Sequence, residues 1–243
     1  MPIPRKVMSR NRYVLCISDT HIPYEHPDTL KFLKAVMNEY PIDRVVHLGD
    51  EVDHAAINFH DKDPDALFTP GQELERSIEV LQDYYKLFPK VDVMESNHGS
   101  MVYRRQKYSG LSRSVFKSYN EILEAPKGWV WHKDLVIKLS NKQDCYFCHG
   151  MSANGLKASQ DMAMNVVQGH YHNKFAIQYW SNPNNLYWSM NVGCSIDDKD
   201  IMFAYNKVII KRPIIGHGII IDGVPKLLPM TLKSNGRWNG KVP

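Results

Sequence analysis

The chain has 243 residues, of which 43% are hydrophobic and 23% charged, and its formal net charge is +4 at pH 7. It contains no apolar run of 18 residues, so no segment is expected to span a membrane. The charge is too small to indicate a nucleic-acid partner, and four cysteines in a chain of this length do not form a disulfide framework. The polar start, MPIPRKVMSRNR, lacks the apolar core of a secretory signal and favours a cytoplasmic location.

Five short apolar runs predict buried strands, and each of them is followed by Asp, Asn or His. In chain order, YVLCI (Tyr13 to Ile17) precedes Asp19 and His21, RVVH precedes Asp50 and Asp53, VDVM precedes Asn97 and His98, CYFC precedes His149, and Val166 and Val167 precede His170 and His172. The repetition suggests that these polar side chains meet at one place.

Helical patterns separate the early strands. Apolar residues recur at helical spacing over 30–40 and over 74–88. The second helix has a good N-cap in Thr69, a proline at its first position (Pro70) and Gln72 to complete a capping box. Alternating strands and helices predict a largely parallel, covered sheet, whose ligands gather beyond the carboxyl ends of the strands.

The second half of the chain is richer in strands. We predict helices over 112–123 and 156–165, a turn over 181–185 and a hairpin turn at Asp222-Gly223. These elements predict an α/β fold of four layers (αββα), with two mixed sheets packed face to face and flanked by helices. We expect one domain over residues 1–243, with loosely held tails at 1–12 and 233–243.

Carboxylates, imidazoles and a carboxamide are typical ligands of divalent cations such as Mn²⁺, Fe²⁺ and Zn²⁺. Two such ions ~3.5–4 Å apart can clamp both oxygens of a phosphoryl displacement and acidify a bridging water. A dinuclear site needs one carboxylate that touches both ions and further ligands for each of them. The number of polar residues that follow the five strands fits such a site.

The order of these motifs resembles that of the calcineurin-like metallophosphoesterases. The matching pieces are Asp19-Thr20-His21, Gly49-Asp50-Glu51-Val52-Asp53, Ser96-Asn97-His98-Gly99, His149 and Gly169-His170-Tyr171-His172. The matched span runs from residue 19 to residue 172. Each piece alone is a weak signal, but five in the family's order, each after an apolar run, are a specific one.

The resemblance implies a role for each matching residue. One ion would be held by Asp19, His21, Asp50 and His172, and the other by Asp50, Asn97, His149 and His170. Asp50 would bridge the two ions. His98 would bind phosphate and protonate the leaving oxygen without ligating an ion, and Asp53 would orient His98 through a hydrogen bond.

The chain departs from the family pattern in two places: one is a local change in the third motif that keeps Asn97 and His98, and the other concerns phosphate binding. Ser96 and Gly99 stand where the family has a glycine and an acid, and His54 stands where phosphoprotein phosphatases have a phosphate-gripping arginine. We therefore consider His54, Arg104 and Arg105 as candidate substrate contacts. Residues 96–120 hold five basic residues and no acid; an alternative is that Arg113 and Lys117 merely cover the outside of a helix.

The resemblance predicts a dinuclear metal-dependent phosphoesterase that attacks phosphorus with a metal-activated hydroxide. Mn²⁺ is the expected ion, with Fe, Zn, Co, Ni and Mg as alternatives. The chain is similar to small phosphoesterases of bacteriophages, which would place it in the host cytoplasm and favours a small nucleotide, such as a (deoxy)nucleoside 5′-monophosphate, as substrate. Alternatives are a phosphoprotein phosphatase, a phosphodiesterase or nuclease that binds nucleic acid, and a metal-bearing scaffold without activity. The unligated His98 argues against the scaffold.

The run CYFCH, from Cys145 to His149, also matches the haem attachment motif C-x-x-C-H. In a strand, however, residues three apart face opposite sides, so Cys145 and Cys148 would not both reach one haem. We therefore expect no haem and interpret the two cysteines as buried apolar residues.

Overall fold

The structure is a computed structural model that describes residues 11–58, 68–197 and 212–243. The strands of these residues are β1 (Tyr13–Ile17), β2 (Arg44–His47), β3 (Val91–Met94), β4 (Trp129–His132), β5 (Leu135–Lys138), β6 (Asp144–Cys148), β7 (Asn165–Gln168), β8 (Phe175–Ser181), β9 (Leu186–Val192), β10 (Gly216–Ile221) and β11 (Val224–Pro229). The α-helices are α1 (Thr29–Glu39), α2 (Pro70–Leu87), α3 (Gly99–Tyr108), α4 (Tyr119–Ile122) and α5 (Gly155–Met162).

The strands form two mixed sheets. Sheet 1 has the order β11-β10-β1-β2-β3-β4, in which β1 to β4 are parallel and β10 and β11 antiparallel. Sheet 2 has the order β5-β6-β7-β9-β8, in which β6, β7 and β9 are parallel and the edge strands antiparallel. The predicted turns at 181–185 and 222–223 connect β8 to β9 and β10 to β11. Asp222 and Gly223 both have positive φ, as a type I′ turn requires.

The alternating side chains of β1 show how the layers are stacked. Leu15 and Ile17 pack with the apolar faces of α1 and α2, whereas Val14 and Cys16 lie in the core between the two sheets. Helix α5 packs on β7, β8 and β9 from the opposite side of sheet 2. The order is helix, sheet, sheet, helix, which confirms the predicted four-layer α/β fold.

The helices confirm most of the sequence predictions. Helix α2 begins with the predicted capping box, because Thr69 and Gln72 bond each other's backbone N–H, and Pro70 is its first residue. The prediction of one helix over 112–123 is wrong. That segment holds a 3₁₀ turn at Arg113–Val115 and the short helix α4, and the longer helix of this region, α3, was not predicted.

The expectation of a loosely held tail at 233–243 is also wrong. Arg237 forms an ion pair with the buried Asp28, and the backbone N–H of Trp238 donates to the same carboxylate at 3.0 Å. The ring of Trp238 packs on Phe32 of α1, with 5.5 Å between ring centroids. Most of the other predicted tail, residues 1–10, lies outside the described residues. Among the described helices, none combines the length and apolar character needed to cross a bilayer.

Candidate metal centre

The polar residues that follow the five predicted strands come together in one cluster, which we call the centre. They follow β1, β2 and β3 of sheet 1 and β6 and β7 of sheet 2, so both sheets contribute. Asp19, His21 and Asp50 form a buried floor, each no more than 1% exposed. Asn97 and His170 are exposed, and His98 and His172 are half-buried, so one side of the centre opens to solvent.

The first group of ligand atoms comes from Asp19, His21 and His172. Their atoms form a triangle: His172 Nε2 lies 3.0 Å from Asp19 Oδ1 and 3.2 Å from His21 Nε2, and His21 Nε2 lies 3.8 Å from Asp19 Oδ1. The three ligand atoms lie close enough together to hold one ion.

The second group comes from Asn97, His149 and His170. His149 Nε2 lies 2.7 Å from Asn97 Oδ1 and 3.1 Å from His170 Nδ1. Asp50 lies between the two groups, because its Oδ2 is 3.1 Å from His149 Nε2 and 3.8 Å from His21 Nε2. This is the position that the predicted bridging role of Asp50 would require.

The spacing of these atoms fits divalent ions. Ligand atoms at ~2.1 Å from an ion lie about 3.0 Å apart when their bonds meet at right angles and about 3.4 Å apart in a tetrahedron. Most separations within each group fall near this range. The donor set, oxygen with imidazole nitrogen, suits Mn²⁺, Fe²⁺ or Zn²⁺. The residues present therefore fit divalent metal ions.

Hydrogen bonds on the far side of each ring determine which nitrogen faces the centre. His21 Nδ1 donates to Asp53 Oδ2 at 2.8 Å, and His149 Nδ1 donates to the backbone carbonyl of Leu48 at 2.8 Å. Both rings therefore present Nε2 to the centre, as in the carboxylate–histidine–metal arrangement.

The electrostatics of the floor favour cations. Burial would lower the pKa of His21 and of His149, but neighbouring carboxylates outweigh it: Asp19 and Asp53 raise the pKa of His21 well above its usual range, and Asp50 raises that of His149 to about 9. Burial would raise the pKa of Asp50, but His149 outweighs it and keeps that pKa low. Because an imidazole must be unprotonated to ligate, ion binding would release these protons.

The backbone at the centre is unusual in two ways. Asp19, His21, Asp50 and His170 all adopt positive φ, a conformation that non-glycine residues seldom adopt and that clusters at functional sites. Gly169 is packed so closely that a Cβ there would lie 1.8 Å from Ser18 Oγ and 2.4 Å from Asp19 Oδ2. The glycine before His170 is thus required by sterics.

Asp53 does not orient His98 in the predicted way. Its carboxylate bonds His21, and the nearer carboxylate oxygen lies 3.7 Å from His98 Nδ1. The backbone carbonyl of Asp53 accepts the hydrogen bond from His98 Nδ1 instead. The Nε2 of His98 lies 3.9 Å from Asp50 Oδ2, so His98 also stands within reach of an ion, a position that its predicted unligated role does not require.

Packing explains why Ser96 and Gly99 replace the glycine and the acid of the family pattern around Asn97 and His98. Ser96 Oγ accepts a hydrogen bond from the backbone N–H of Gly99 at 3.2 Å. A Cβ at Gly99 would lie 3.2 Å from the same oxygen and 3.4 Å from the ring of Tyr119. The serine therefore holds the start of α3, and the glycine lets Tyr119 approach. Asn97 and His98 remain in the centre.

The three candidate substrate contacts differ in their partners and in their distance from the centre. His54 is 5% exposed and bonds Tyr119 Oη at 3.0 Å, and burial lowers its pKa to about 4, which argues against the predicted contact with phosphate. Arg105 donates to the backbone carbonyls of Ile57 and Asn58 and so holds the loop after His54. Arg104 donates to the carbonyl of Asn97 at 2.9 Å and is therefore the candidate that borders the centre.

Two supporting residues were not predicted. Ser18 Oγ donates to Asp19 Oδ2, and its place directly before Asp19 was a usable signal. Glu73 of α2 is 2% exposed and accepts from the N–H groups of Ala55 and Ala56 at 2.7 and 2.8 Å. It fixes the loop that carries Asp53, but no local pattern marks it, because it arrives by a tertiary contact.

The cysteines of the CYFCH run lie within β6. Cys145 belongs to the core between the sheets, and Cys148, three residues on, lies on the other face of the strand. Both are buried free thiols, and burial raises the pKa of both. Neither thiol is therefore poised for metal binding or for nucleophilic chemistry.

No family model and no curated protein matches this chain. Solved structures similar to it include vacuolar protein sorting 29 from Cryptosporidium parvum, at 13% identity over 96% of this chain and 95% of that chain, with a TM-score of 0.49. Vps29 from Chaetomium thermophilum is similar at 10% identity over 96% of each chain, also with a TM-score of 0.49. The nuclease MPE from Pseudomonas putida is similar at 13% identity over 88% of this chain and 87% of that chain, with a TM-score of 0.36.

Proposed function

We propose that this protein is a dinuclear metal-dependent phosphoesterase that hydrolyses phosphomonoesters. The observation that carries the proposal is the position of Asp50 Oδ2, which lies 3.8 Å from His21 Nε2 and 3.1 Å from His149 Nε2. One carboxylate oxygen is thus within reach of both donor groups. Two ions held by those groups would share Asp50, as the order of the sequence motifs implies.

The residues of the centre would bind the two ions in two sets that share Asp50. Asp19, His21 and His172 would hold one ion with Asp50, and Asn97, His149 and His170 would hold the other. Divalent ions bound there would polarise the phosphoryl oxygens and lower the pKa of a water. Manganese is the ion we propose, because carboxylate and amide oxygens, which Asp19, Asp50 and Asn97 supply, suit Mn²⁺ best among the three ions that fit this donor set.

His98 would serve the leaving group. Its Nδ1 is held by the Asp53 carbonyl, and its Nε2 points toward Asp50. In its protonated form His98 would donate the Nε2 proton to the departing alcohol oxygen, which would otherwise leave as a strongly basic alkoxide. Arg104, whose guanidinium donates to the carbonyl of Asn97, would contact a phosphate oxygen of the bound ester.

A phosphomonoester suits this site better than a diester, because its phosphate carries a second negative charge that the ions bound in the centre would attract.

One observation favours a second candidate, a phosphodiesterase or nuclease. Tyr103 and Tyr108 of α3 are 49% and 79% exposed on a helix that also carries Arg104, Arg105 and Lys107, a combination typical of single-stranded nucleic-acid binding.

A panel of esters tests the proposal. Protein stripped by a chelator and reloaded with Mn²⁺, Fe²⁺ or Zn²⁺ should release phosphate from nitrophenyl phosphate and nucleoside 5′-monophosphates faster than it cleaves bis-nitrophenyl phosphate, cyclic nucleotides, single-stranded DNA or a phosphoserine peptide. Asp50→Asn should lose both activity and bound metal, whereas Asp144→Asn, at an exposed aspartate of β6, should keep both. Metal-loaded protein that cleaves no ester would refute the proposal, and a preference for DNA or for the peptide would select one of the alternatives.

A further inference from the structure

A groove runs along α3 beside the centre. One face of α3, formed by Gly99, Val102, Tyr103 and Gln106 at helical spacing, faces residues 116–122 across a cavity of about 240 Å³. The facing side consists of Phe116, Lys117, Ser118, Tyr119, Glu121 and Ile122. We call this cavity the α3 groove.

The inner end of the α3 groove lies next to His98. Gly99, which lines the groove, directly follows His98 in the chain, and Tyr119 Oη bonds the ring of His54 at 3.0 Å. His54 in turn follows Asp53, whose carbonyl holds His98. The groove therefore starts at the residue that would protonate the leaving oxygen, so the part of an ester that departs with that oxygen would extend into it.

The lining has the chemistry of a site for a planar aromatic ring. Tyr103 and Phe116 offer aromatic faces, and half-buried Gln106 offers both a hydrogen-bond donor and an acceptor. Of the five basic residues in 96–120, Lys117 lies in the lining, and this segment of the sequence contains no acid. The acid of the lining, Glu121, is engaged, because its carboxylate accepts from the backbone N–H and the hydroxyl of Ser118.

We infer that the α3 groove binds the alcohol part of the substrate and selects alcohols that carry a planar heteroaromatic ring, as a nucleoside 5′-monophosphate does. The ring stacks on Tyr103 and Phe116, the amide of Gln106 bonds its edge, and Lys117 adds a positive charge at the rim. This inference rests on the proposed phosphoesterase function and adds a substrate class to it.

The experiment compares two esters of which one carries an adenine base and the other has a hydroxyl group in its place. Deoxyadenosine 5′-monophosphate and deoxyribose 5-phosphate present the same phosphate on the same sugar carbon, and kcat/KM is measured for both with the Mn²⁺-loaded full chain. We expect the wild type to prefer the nucleotide. Tyr103→Ala and Phe116→Ala should each lower kcat/KM for the nucleotide by between about 5-fold and about 150-fold, the range found when one stacked aromatic is removed. Activity on deoxyribose 5-phosphate should stay unchanged.

Tyr108→Ala is the matched control, because Tyr108 is an exposed tyrosine of the same helix that does not line the groove. It should leave both activities unchanged. The base-free ester reports on folding and on the metal centre, so a variant that merely misfolds loses both activities, and the second aromatic variant then carries the test. Equal rates for the two wild-type esters, or equal losses in Tyr103→Ala and Tyr108→Ala, would overturn the groove inference and leave the phosphoesterase function standing. Inactivity toward both esters, together with every other ester of the panel, would instead overturn the function.

Discussion

The carboxylate of Asp53 accepts a hydrogen bond from His21 Nδ1 at 2.8 Å, while the backbone carbonyl of Asp53 accepts one from His98 Nδ1. One residue therefore orients two imidazoles through two different groups. The side-chain contact serves a proposed metal ligand, and the backbone contact serves the proposed acid. Because a substitution changes the side chain and keeps the carbonyl, the two roles can be separated by mutation.

We expect Asp53→Asn to weaken metal binding rather than proton transfer. Loss of a carboxylate behind a ligating histidine typically costs about 10- to 100-fold in metal affinity. The variant should show that loss in a Mn²⁺ titration and recover most of the wild-type kcat at saturating Mn²⁺. Asp92→Asn is the matched control, since Asp92 forms a similar carboxylate–imidazole pair with His132, also at 2.8 Å, away from the centre. Unchanged affinity with a large loss of kcat would assign the carboxylate to His98.

His98→Asn should lower kcat by ~10²–10⁴-fold, the usual contribution of a general acid. The loss should be smaller for nitrophenyl phosphate than for an alkyl phosphate, because nitrophenolate leaves readily without a proton. Bound metal, measured by elemental analysis, should stay at the wild-type level. His98 Nε2 lies only 3.9 Å from Asp50 Oδ2, so a fall in metal content would show that His98 is itself a ligand.

Gly169→Ala should disrupt the centre. The added methyl would lie 1.8 Å from Ser18 Oγ and 2.4 Å from Asp19 Oδ2, so it would push both side chains out of their places in the centre. We expect a destabilisation of about 1–3 kcal/mol and a loss of bound metal. Gly71→Ala is the matched control, because a Cβ at that position of α2 meets nothing within 4 Å. It should instead stabilise the protein by roughly 0.5–1 kcal/mol. Urea denaturation of both variants measures the difference, and equal effects would contradict the steric explanation.

Glu25→Gln should stabilise the protein in a pH-dependent way. Burial raises the pKa of Glu25 to about 7, and its Oε2 has no hydrogen-bond partner among the described residues. In the unfolded chain a glutamate titrates near pH ~4.3. Between these two pH values the folded state keeps a proton that the unfolded state has released. The contribution of protonated Glu25 to the free energy of unfolding is therefore complete below about pH 4.3 and is lost as the pH rises to about 7.

The neutral glutamine removes this dependence. We expect Glu25→Gln to raise the free energy of unfolding by roughly 3 kcal/mol at pH 8 and much less at pH 5. Urea denaturation at both pH values, with chelator present so that metal binding does not contribute, measures the difference. Glu75→Gln, at an exposed glutamate of α2, serves as the control and should show no such change. The same gain at both pH values would mean that packing rather than ionisation is responsible.

The parts of the fold that could be predicted are those with a local cause. The apolar runs of β1 to β3 and the capping box of α2 are written in neighbouring residues, and the structure has them where the sequence placed them. The position of the centre also followed, because the carboxyl ends of parallel strands meet at one edge of a sheet. The convergence of sheet 2 on the same place followed only from the family resemblance.

The region after His98 was mispredicted for a physical reason. Helix α3 buries only Met101, so it has little apolar periodicity to reveal it. The apolar spacing over 112–123 suggested a helix, but its serines compete for the backbone. The N–H of Ser114 bonds Ser112 Oγ, and Ser118 with Glu121 forms a new capping box that starts α4. The S-x-x-E pattern of that box is present in the sequence and was the available signal.

The centre draws its donors from both sheets, and this has a mechanical consequence. Asp19 Oδ2 accepts the backbone N–H of His170 at 2.9 Å, so the loop after β1 and the loop after β7 are already joined by a hydrogen bond across the seam. Ions bound between Asp19 and His172, and between Asn97 and His149, would add coordinate bonds that cross-link the two sheets at the same place. Metal binding and the packing of one sheet on the other would then stabilise each other, since an ion that binds only the closed seam shifts the equilibrium toward it. The residues proposed for hydrolysis would thus also hold sheet 1 and sheet 2 together at the carboxyl ends of their strands.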